Sequence, residues 1–228
     1  MELSKRLQAV ADLVTSGLKV ADIGTDHGYI PIYLVEHKKN PSAVAMDINK
    51  GPLKKAEENI ALHGLGDYIE TRLSNGAEKL QCKEVQSIVI AGMGGGLVIR
   101  IMEQDKEIFK NVNELILQPQ SELWKVRKYL MENDYRIIKE DIVLEDGKFY
   151  PMMKVINGRS ERYSTTELNY GRILLQEKHP VLKQFLEKEY RIKEEIYQNL
   201  NENHSDNIQR MKELEEELKQ IKEALCVF

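Results

Sequence analysis

The chain is poor in several features that would each have implied a function class. Its two cysteines among 228 residues, Cys82 and Cys226, lie far apart with no motif around either. That excludes a disulfide framework and points to reduced thiols in a reducing cytoplasm. No run reaches the roughly 18 apolar residues of a membrane span, and the N-terminus shows amphipathic spacing with an early acid where a signal segment would be apolar. No histidine or cysteine stands at metal-ligand spacing from His27, so no metal is expected. Basic charge is short too: 33 Lys and Arg face 37 Asp and Glu, with 22 against 23 in residues 1–160 and 11 against 14 beyond. Nucleic-acid contact would therefore rest on a local patch, for which Lys50, Lys54, Lys55, Lys125, Arg127 and Lys128 are candidates; a generally solvated surface accounts for the same residues.

The chain is rich in strand ends that run into glycine. With 42% hydrophobic residues it can bury one α/β core and still carry an appendage. Leu18–Tyr29 reads as a short β-branched strand entering a turn with Gly24 and Gly28, where Gly24 permits a positive φ and Gly28 a close approach at the start of a helix. The spacing is G-x-x-x-G rather than the G-x-G-x-x-G of dinucleotide sites, and Asp22 and Asp26 would repel a pyrophosphate. Acids suit a cation. After a strand, Asp-x-Gly-x-x-x-Gly resembles the first motif of class I S-adenosylmethionine-dependent methyltransferases, with Asp26 in place of the usual middle glycine. The ammonium and sulfonium of that cofactor are both positive.

Ser42–Asp47 is a second strand, and its terminal acid lies 19 residues beyond Gly28, the spacing of a ribose-binding acid. Asp47 is the ribose candidate; capping the next helix is its alternative, a duty Asn49 could take. Tyr68–Leu73 is a third strand, followed by Ser74-Asn-Gly76 and a short helix-like run. The fourth strand, Val85–Ala91, is near-continuously apolar, as a strand buried on both faces should be, and ends in Gly92-Met-Gly-Gly-Gly96. These glycines leave room for substrate or for the methionine backbone of a cofactor. A fifth strand, Asn113–Gln118, stops at Pro119 and aims the Gln118 amide at the same cleft. Helix Trp124–Leu130 precedes Tyr135–Leu144 and Phe149–Ile156, an antiparallel hairpin about Asp146-Gly147. Asn157–Ser160 marks a domain boundary, giving domains 1–160 and 161–228.

From about Thr166 the β signal vanishes. Apolar residues at Leu182, Phe185, Ile192, Ile196 and Leu200, and again at Met211, Leu214, Leu218, Ile221 and Leu225, describe two amphipathic helices. A break at 201–206 folds them back as an antiparallel coiled coil. A structural or dimerising seam is the plain reading of such a hairpin.

Ala21–Pro31, Ile90–Gly95, Leu117-Gln-Pro119 and the opening Leu3-Ser-Lys-Arg-Leu7 together resemble the bacterial tRNA adenine-22 N1-methyltransferase family, TrmK, over essentially the whole chain. The resemblance implies a Rossmann-like seven-stranded sheet with a C-terminal helical coiled-coil extension. It also implies S-adenosyl-L-methionine as cofactor, and methylation of N1 of one adenine in the D-arm region of tRNA. Enzymes of this fold that methylate an exocyclic amine carry Asp or Asn, two prolines and an aromatic after the fourth strand; none is present here. Carried onto this chain, the cofactor contacts are Asp22, Gly24, Thr25, Asp26, His27, Gly28, Asp47, Ile48, Asn75, Gly76, Ala91, Gly92, Met93 and Gly94, with Asn75 and Gly76 reaching the cofactor adenine.

Adenine N1 cannot attack while it accepts a Watson–Crick hydrogen bond, so the base must be unpaired or turned out. An acid would stabilise the cationic product, and Asp26 is the first candidate. Tyr29 and Gln118 complete the catalytic set, and Arg6, Gln118 and Pro119 the substrate contacts. Packing for Tyr29, a turn hydrogen bond for His27, a plain Asn-Gly turn for Asn75 and Gly76, a solvated face for Arg6 and space-filling for Met93 are their alternatives. The resemblance favours a helical arm that grips tRNA, in a cytoplasmic monomer or weak dimer. A methyltransferase for a small acceptor, or a noncatalytic module that binds RNA or a protein partner, are the rival functions.

Overall fold

The computed structural model describes residues 1–202 and 207–228, so most of the expected 201–206 break lies outside the described residues. In those residues the elements run α1 (Lys5–Leu13), β1 (Val20–Ile23), α2 (Tyr29–Glu36), β2 (Ala43–Asp47), α3 (Lys50–Leu62), β3 (Ile69–Leu73), β4 (Ser87–Met93), α4 (Gly95–Gln104), α5 (Lys106–Lys110), β5 (Glu114–Pro119), α6 (Leu123–Glu132), β6 (Tyr135–Glu145), β7 (Lys148–Asn157), α7 (Thr165–Tyr170), α8 (Arg172–Gln176), α9 (Pro180–Glu202) and α10 (Ile208–Leu225). The chain divides into two compact units, Met1–Glu161 and Arg162–Phe228.

The first unit is a seven-stranded sheet in the order β3-β2-β1-β4-β5-β7-β6. The first five strands of that order pair in parallel, and β7 enters antiparallel between β5 and β6. Central strands carry almost only apolar residues because they are covered on both faces; Val20, Val44, Ile88, Val89, Ile90 and Ile116 have no exposed surface. One buried cluster joins residues of α1, α2 and α3 to Val20, Ala45, Val89 and Ile116, while α4 packs on α6. The β6–β7 turn has positive φ at both Asp146 (48°) and Gly147 (74°), the type I′ geometry that matches strand twist. Glu114, at the start of β5, accepts from Thr15 N–H (2.8 Å), Ser87 Oγ (3.0 Å) and Lys154 Nζ (2.8 Å), tying four distant segments together.

Two sequence expectations change. The run after Ser74-Asn-Gly76 forms turns, not a helix. Arg127 is no part of a basic patch: it is 2% exposed and its Nε donates to Glu140 Oε1 at 2.9 Å, a buried ion pair between α6 and β6. Lys54, Lys125 and Lys128 do lie at the surface, each beside a glutamate.

In the second unit, Ser164 caps α7 in a reciprocal capping box with Glu167, and Pro180 opens α9, where its missing N–H costs nothing. Neither α7 nor α8 was apparent in the sequence. Helices α9 and α10 run antiparallel, crossed by Lys193–Glu217 and Tyr197–Glu215 contacts at 2.7 Å each. Their shared apolar seam is closed at Leu182, Leu186, Leu214, Ile221 and Ala224. It does not extend along all the periodic positions: Ile192 and Ile196 are 43% and 40% exposed.

Candidate active site

The strand order reverses between β1 and β4, and an open α/β sheet gathers ligands outside the carboxyl ends of its strands at such a point. A cavity of about 540 Å³ lies there, and its walls come from the loops after β1, β2, β3, β4 and β5 together with α1 and α4.

From β1 come Asp22 and Gly24. Asp22 is 5% exposed and has no ion-pair partner among the described residues. Burial pushes its carboxyl up to about 6; the Thr25 side chain opposes the rise and the charge of Asp47 adds to it. A buried acid that faces a cavity without a counter-charge fits a cationic ligand, as S-adenosylmethionine is. Gly24 has φ 79°, which calls for glycine, and a Cβ there would displace the terminal methyl of Met93. Gly28, φ 72°, begins α2 with no side-chain cap on its amides.

Asp47 ends β2, and its Oδ1 accepts the Asn49 N–H at 2.7 Å. Asn49 stands at the N-cap of α3 but makes no side-chain cap bond, so the capping duty expected of it is not performed. Ser74, buried after β3, donates to the Gly76 carbonyl (3.0 Å) and accepts from Lys79 N–H (3.2 Å), holding the Asn75–Gly76 turn at the cavity wall. Gly76 has φ 64°, a backbone conformation that favours glycine, and a Cβ there would press on the Ile101 and Asp105 side chains.

The glycine cluster after β4 divides its work. Ala91, Gly92 and Met93 line the cavity, and the sheet register slips between Ala91 and Met93. Gly94, Gly95 and Gly96 do not line it. A Cβ on Gly95 would lie 2.5 Å from the Ser121 carbonyl, and Gly96 N–H donates to Glu122 Oε2 at 3.1 Å. Gly95 and Gly96 let α4 dock against the loop after β5, and a Cβ on Gly94 would lie 3.3 Å from Ser121 Oγ.

Around the mouth, Asp26 Oδ1 lies 3.2 Å from His27 Nε2, and the His27 ring is stacked on Tyr29 with centroids 5.3 Å apart and planes within 4°. His27 itself has φ 63°, held by a hydrogen bond from Asn59 Nδ2 to its carbonyl at 2.9 Å. Asp26 and Tyr29 line the cavity; Thr25, His27 and Gly28 stand behind that lining. Gln118 is fully buried and, with Pro119, also stands outside it. The Gln118 amide does not open into the cleft as expected. Its Oε1 instead accepts from Arg6 Nη1 at 3.0 Å, and Arg6, over the Tyr150 ring, is the residue that lines the cavity.

Ser74, Leu97, Arg100, Ile101 and Gln120 line the cavity and were missed in the sequence. Their only signal was position, at or just past the carboxyl ends of strands and on the helix that follows β4. Among the described residues no group of three or more His, Cys, Asp or Glu is arranged to hold a metal, and no helix is long and apolar enough to cross a membrane.

Sheet order and cavity define a Rossmann-like methyltransferase, and residues 3–153 match the family described as a methyltransferase domain. The tRNA (adenine(22)-N(1))-methyltransferase of Bacillus subtilis (strain 168) is 34% identical over 99% of this chain and 98% of its own. This chain belongs to that tRNA methyltransferase family. Solved structures agree: B. subtilis TrmK, an m1A22 tRNA methyltransferase, superposes with TM-score 0.87 at 33% identity, covering 98% of this chain and 99% of that one. TrmK of M. capricolum, solved with S-adenosyl-homocysteine, gives TM-score 0.87 at 29% identity over 100% and 99%.

Proposed function

We propose that this protein transfers a methyl group from S-adenosylmethionine to N1 of adenine 22 in the D-arm region of tRNA. The observation that carries this reading is the extent of the likeness, 99% of the chain, which takes in the helical unit as well as residues 3–153. An enzyme for a small acceptor has little use for that unit.

Asp22, Gly24, Asp47, Asn75, Gly76 and Gly92 form the cofactor side of the cavity: acids for its cationic end and its ribose, glycines where backbone must come close. When bound, the cofactor supplies an electrophilic methyl group on a positively charged sulfur. Asp26, Tyr29 and Arg6 form the substrate side. Tyr29, already stacked on His27, offers a flat face to a base turned out of its helix. Arg6 offers a guanidinium to phosphate, in an orientation set by Gln118. N1 attacks with its own lone pair, so the chain's work is to hold reactants in register and to accommodate positive charge on the product. Asp26 accommodates it.

The helical unit, residues 161–228, serves as a tRNA-gripping arm on an antiparallel coiled coil, with the protein a monomer or weak dimer. The tRNA acceptor and the two unpaired cysteines support a cytoplasmic enzyme. Incubation of the protein with labelled S-adenosylmethionine and bulk bacterial tRNA, followed by nucleoside analysis, tests the reading. N1-methyladenosine is the expected product. Label transfer only to small molecules, or none with cofactor binding intact, overturns it.

A further inference from the structure

We infer that Gln120 recognises the target base as adenine through the edge that methylation leaves free; the inference rests on the tRNA reading above. Gln120 stands just past β5 on backbone anchored by its N–H to the Met93 carbonyl at 2.8 Å. Its side chain is exposed, lines the cavity and makes no hydrogen bond among the described residues. A Cβ built on Gly92 would lie 3.7 Å from both Gln120 Nε2 and Arg6 Nη1, so these two side chains converge over the same bare stretch of strand. Arg6 Nη1 is already engaged by the buried Gln118. The Gln120 carboxamide is the uncommitted donor and acceptor of the group.

Attack from N1 turns the Watson–Crick edge of the base toward the methyl group. What remains for reading is the neighbouring major-groove edge, where adenine presents N7 as acceptor and the second N6 hydrogen as donor. A carboxamide is complementary to that pair, with Nε2 donating to N7 and Oε1 accepting from N6. Guanine presents N7 and O6, two acceptors, so one contact would set oxygen against oxygen with no hydrogen between them. Gly92 lacks the side chain that would otherwise fill the space beneath such a base.

The test uses the full chain and a tRNA carrying either adenine or 7-deazaadenine at the target position, the latter having C–H in place of N7. Wild type is expected to favour adenine by a ratio of kcat/KM about tenfold larger than that of Gln120→Ala, a bidentate contact having been broken. The altered basicity of N1 in the analogue is common to both enzymes and cancels in the comparison. Gln120→Glu keeps an acceptor for N6 but sets a carboxylate against N7, and is expected to shift preference toward 7-deazaadenine. Unchanged cofactor affinity in both variants reports an intact fold. Equal ratios for wild type and Gln120→Ala, or full activity of Gln120→Ala on adenine, would overturn the inference. Failure of the wild type to methylate adenine tRNA would instead overturn the reading of function itself, before any variant is compared.

Discussion

Arg6 Nη1 donates to Gln118 Oε1 at 3.0 Å while the guanidinium lies 5.5 Å from the centre of the Tyr150 ring, so a residue of the opening helix is fixed at the rim of a cavity built by later strands. Sequence alone leaves Arg6 between a substrate contact and a solvated face; a hydrogen bond to a buried amide 112 positions away holds it at the cavity wall.

Arg6→Ala should lower kcat/KM on tRNA by roughly 10- to 100-fold, the range of a hydrogen bond to a charged group, and leave cofactor affinity close to normal. Arg6→Lys should not restore activity, because an ammonium cannot reproduce the fork held by Gln118 and Tyr150. Steady-state kinetics beside calorimetry separates the two effects.

Asp22 predicts a pH dependence. Its folded carboxyl sits at about 6 against an ordinary 3.8, and only the charged form attracts a cation. Cofactor affinity should therefore be full above about 6 and fall as pH drops through it; Asp22→Asn should bind weakly with a flat profile between pH 5 and 8. The ligand-free fold carries the opposite sign. The contribution of neutral Asp22 to stability is complete below 3.8 and lost as pH rises through about 6.

Asp47→Ala should weaken cofactor binding by on the order of 1–3 kcal/mol through loss of charge-assisted hydrogen bonds. Calorimetry with S-adenosyl-homocysteine reads this directly, and unchanged affinity would remove Asp47 from the site.

Asp26→Asn should reduce turnover about tenfold with cofactor affinity kept, less than the roughly 10²–10³ of a sequestered electrostatic group. The reason is exposure: the Asp26 side chain is 78% exposed, so water and salt screen its charge. Normal turnover would end its assignment.

Arg127→Met should destabilise the fold by about 3–5 kcal/mol, because it leaves the Glu140 carboxylate buried without its cation. The double variant Arg127→Met, Glu140→Leu should regain most of that loss. Urea unfolding of the three proteins gives both numbers.

The sheet was legible because its central strands are apolar along their whole length and are punctuated by Gly24, Gly28, Asp47 and Gly92, residues whose backbone or charge announces a strand end. Arg127 was read as surface because charge is normally solvated, and nothing local to α6 shows that Glu140 of β6 will meet it. The glycines at 94–96 look alike in a sequence, yet their neighbours decide whether the space beside them belongs to a ligand or to Ser121 and Glu122. Gln120 shows a related limit. Alternation along a strand tells which way a side chain points only while the strand lasts, and β5 ends at Pro119. Short helices such as α8, five residues long, carry too few turns for a periodic signal.

Strand order also has a consequence for biosynthesis. Because β7 lies between β5 and β6, a nascent chain that has emerged only through β6 has no partner for the outer edge of β5, and Glu114 lacks the Lys154 ammonium. The first five strands can assemble during translation, but one apolar edge stays open until residues 148–157 arrive. That interval is when the polypeptide is most exposed to pairing with another chain, and it ends when β7 takes its place beside β5.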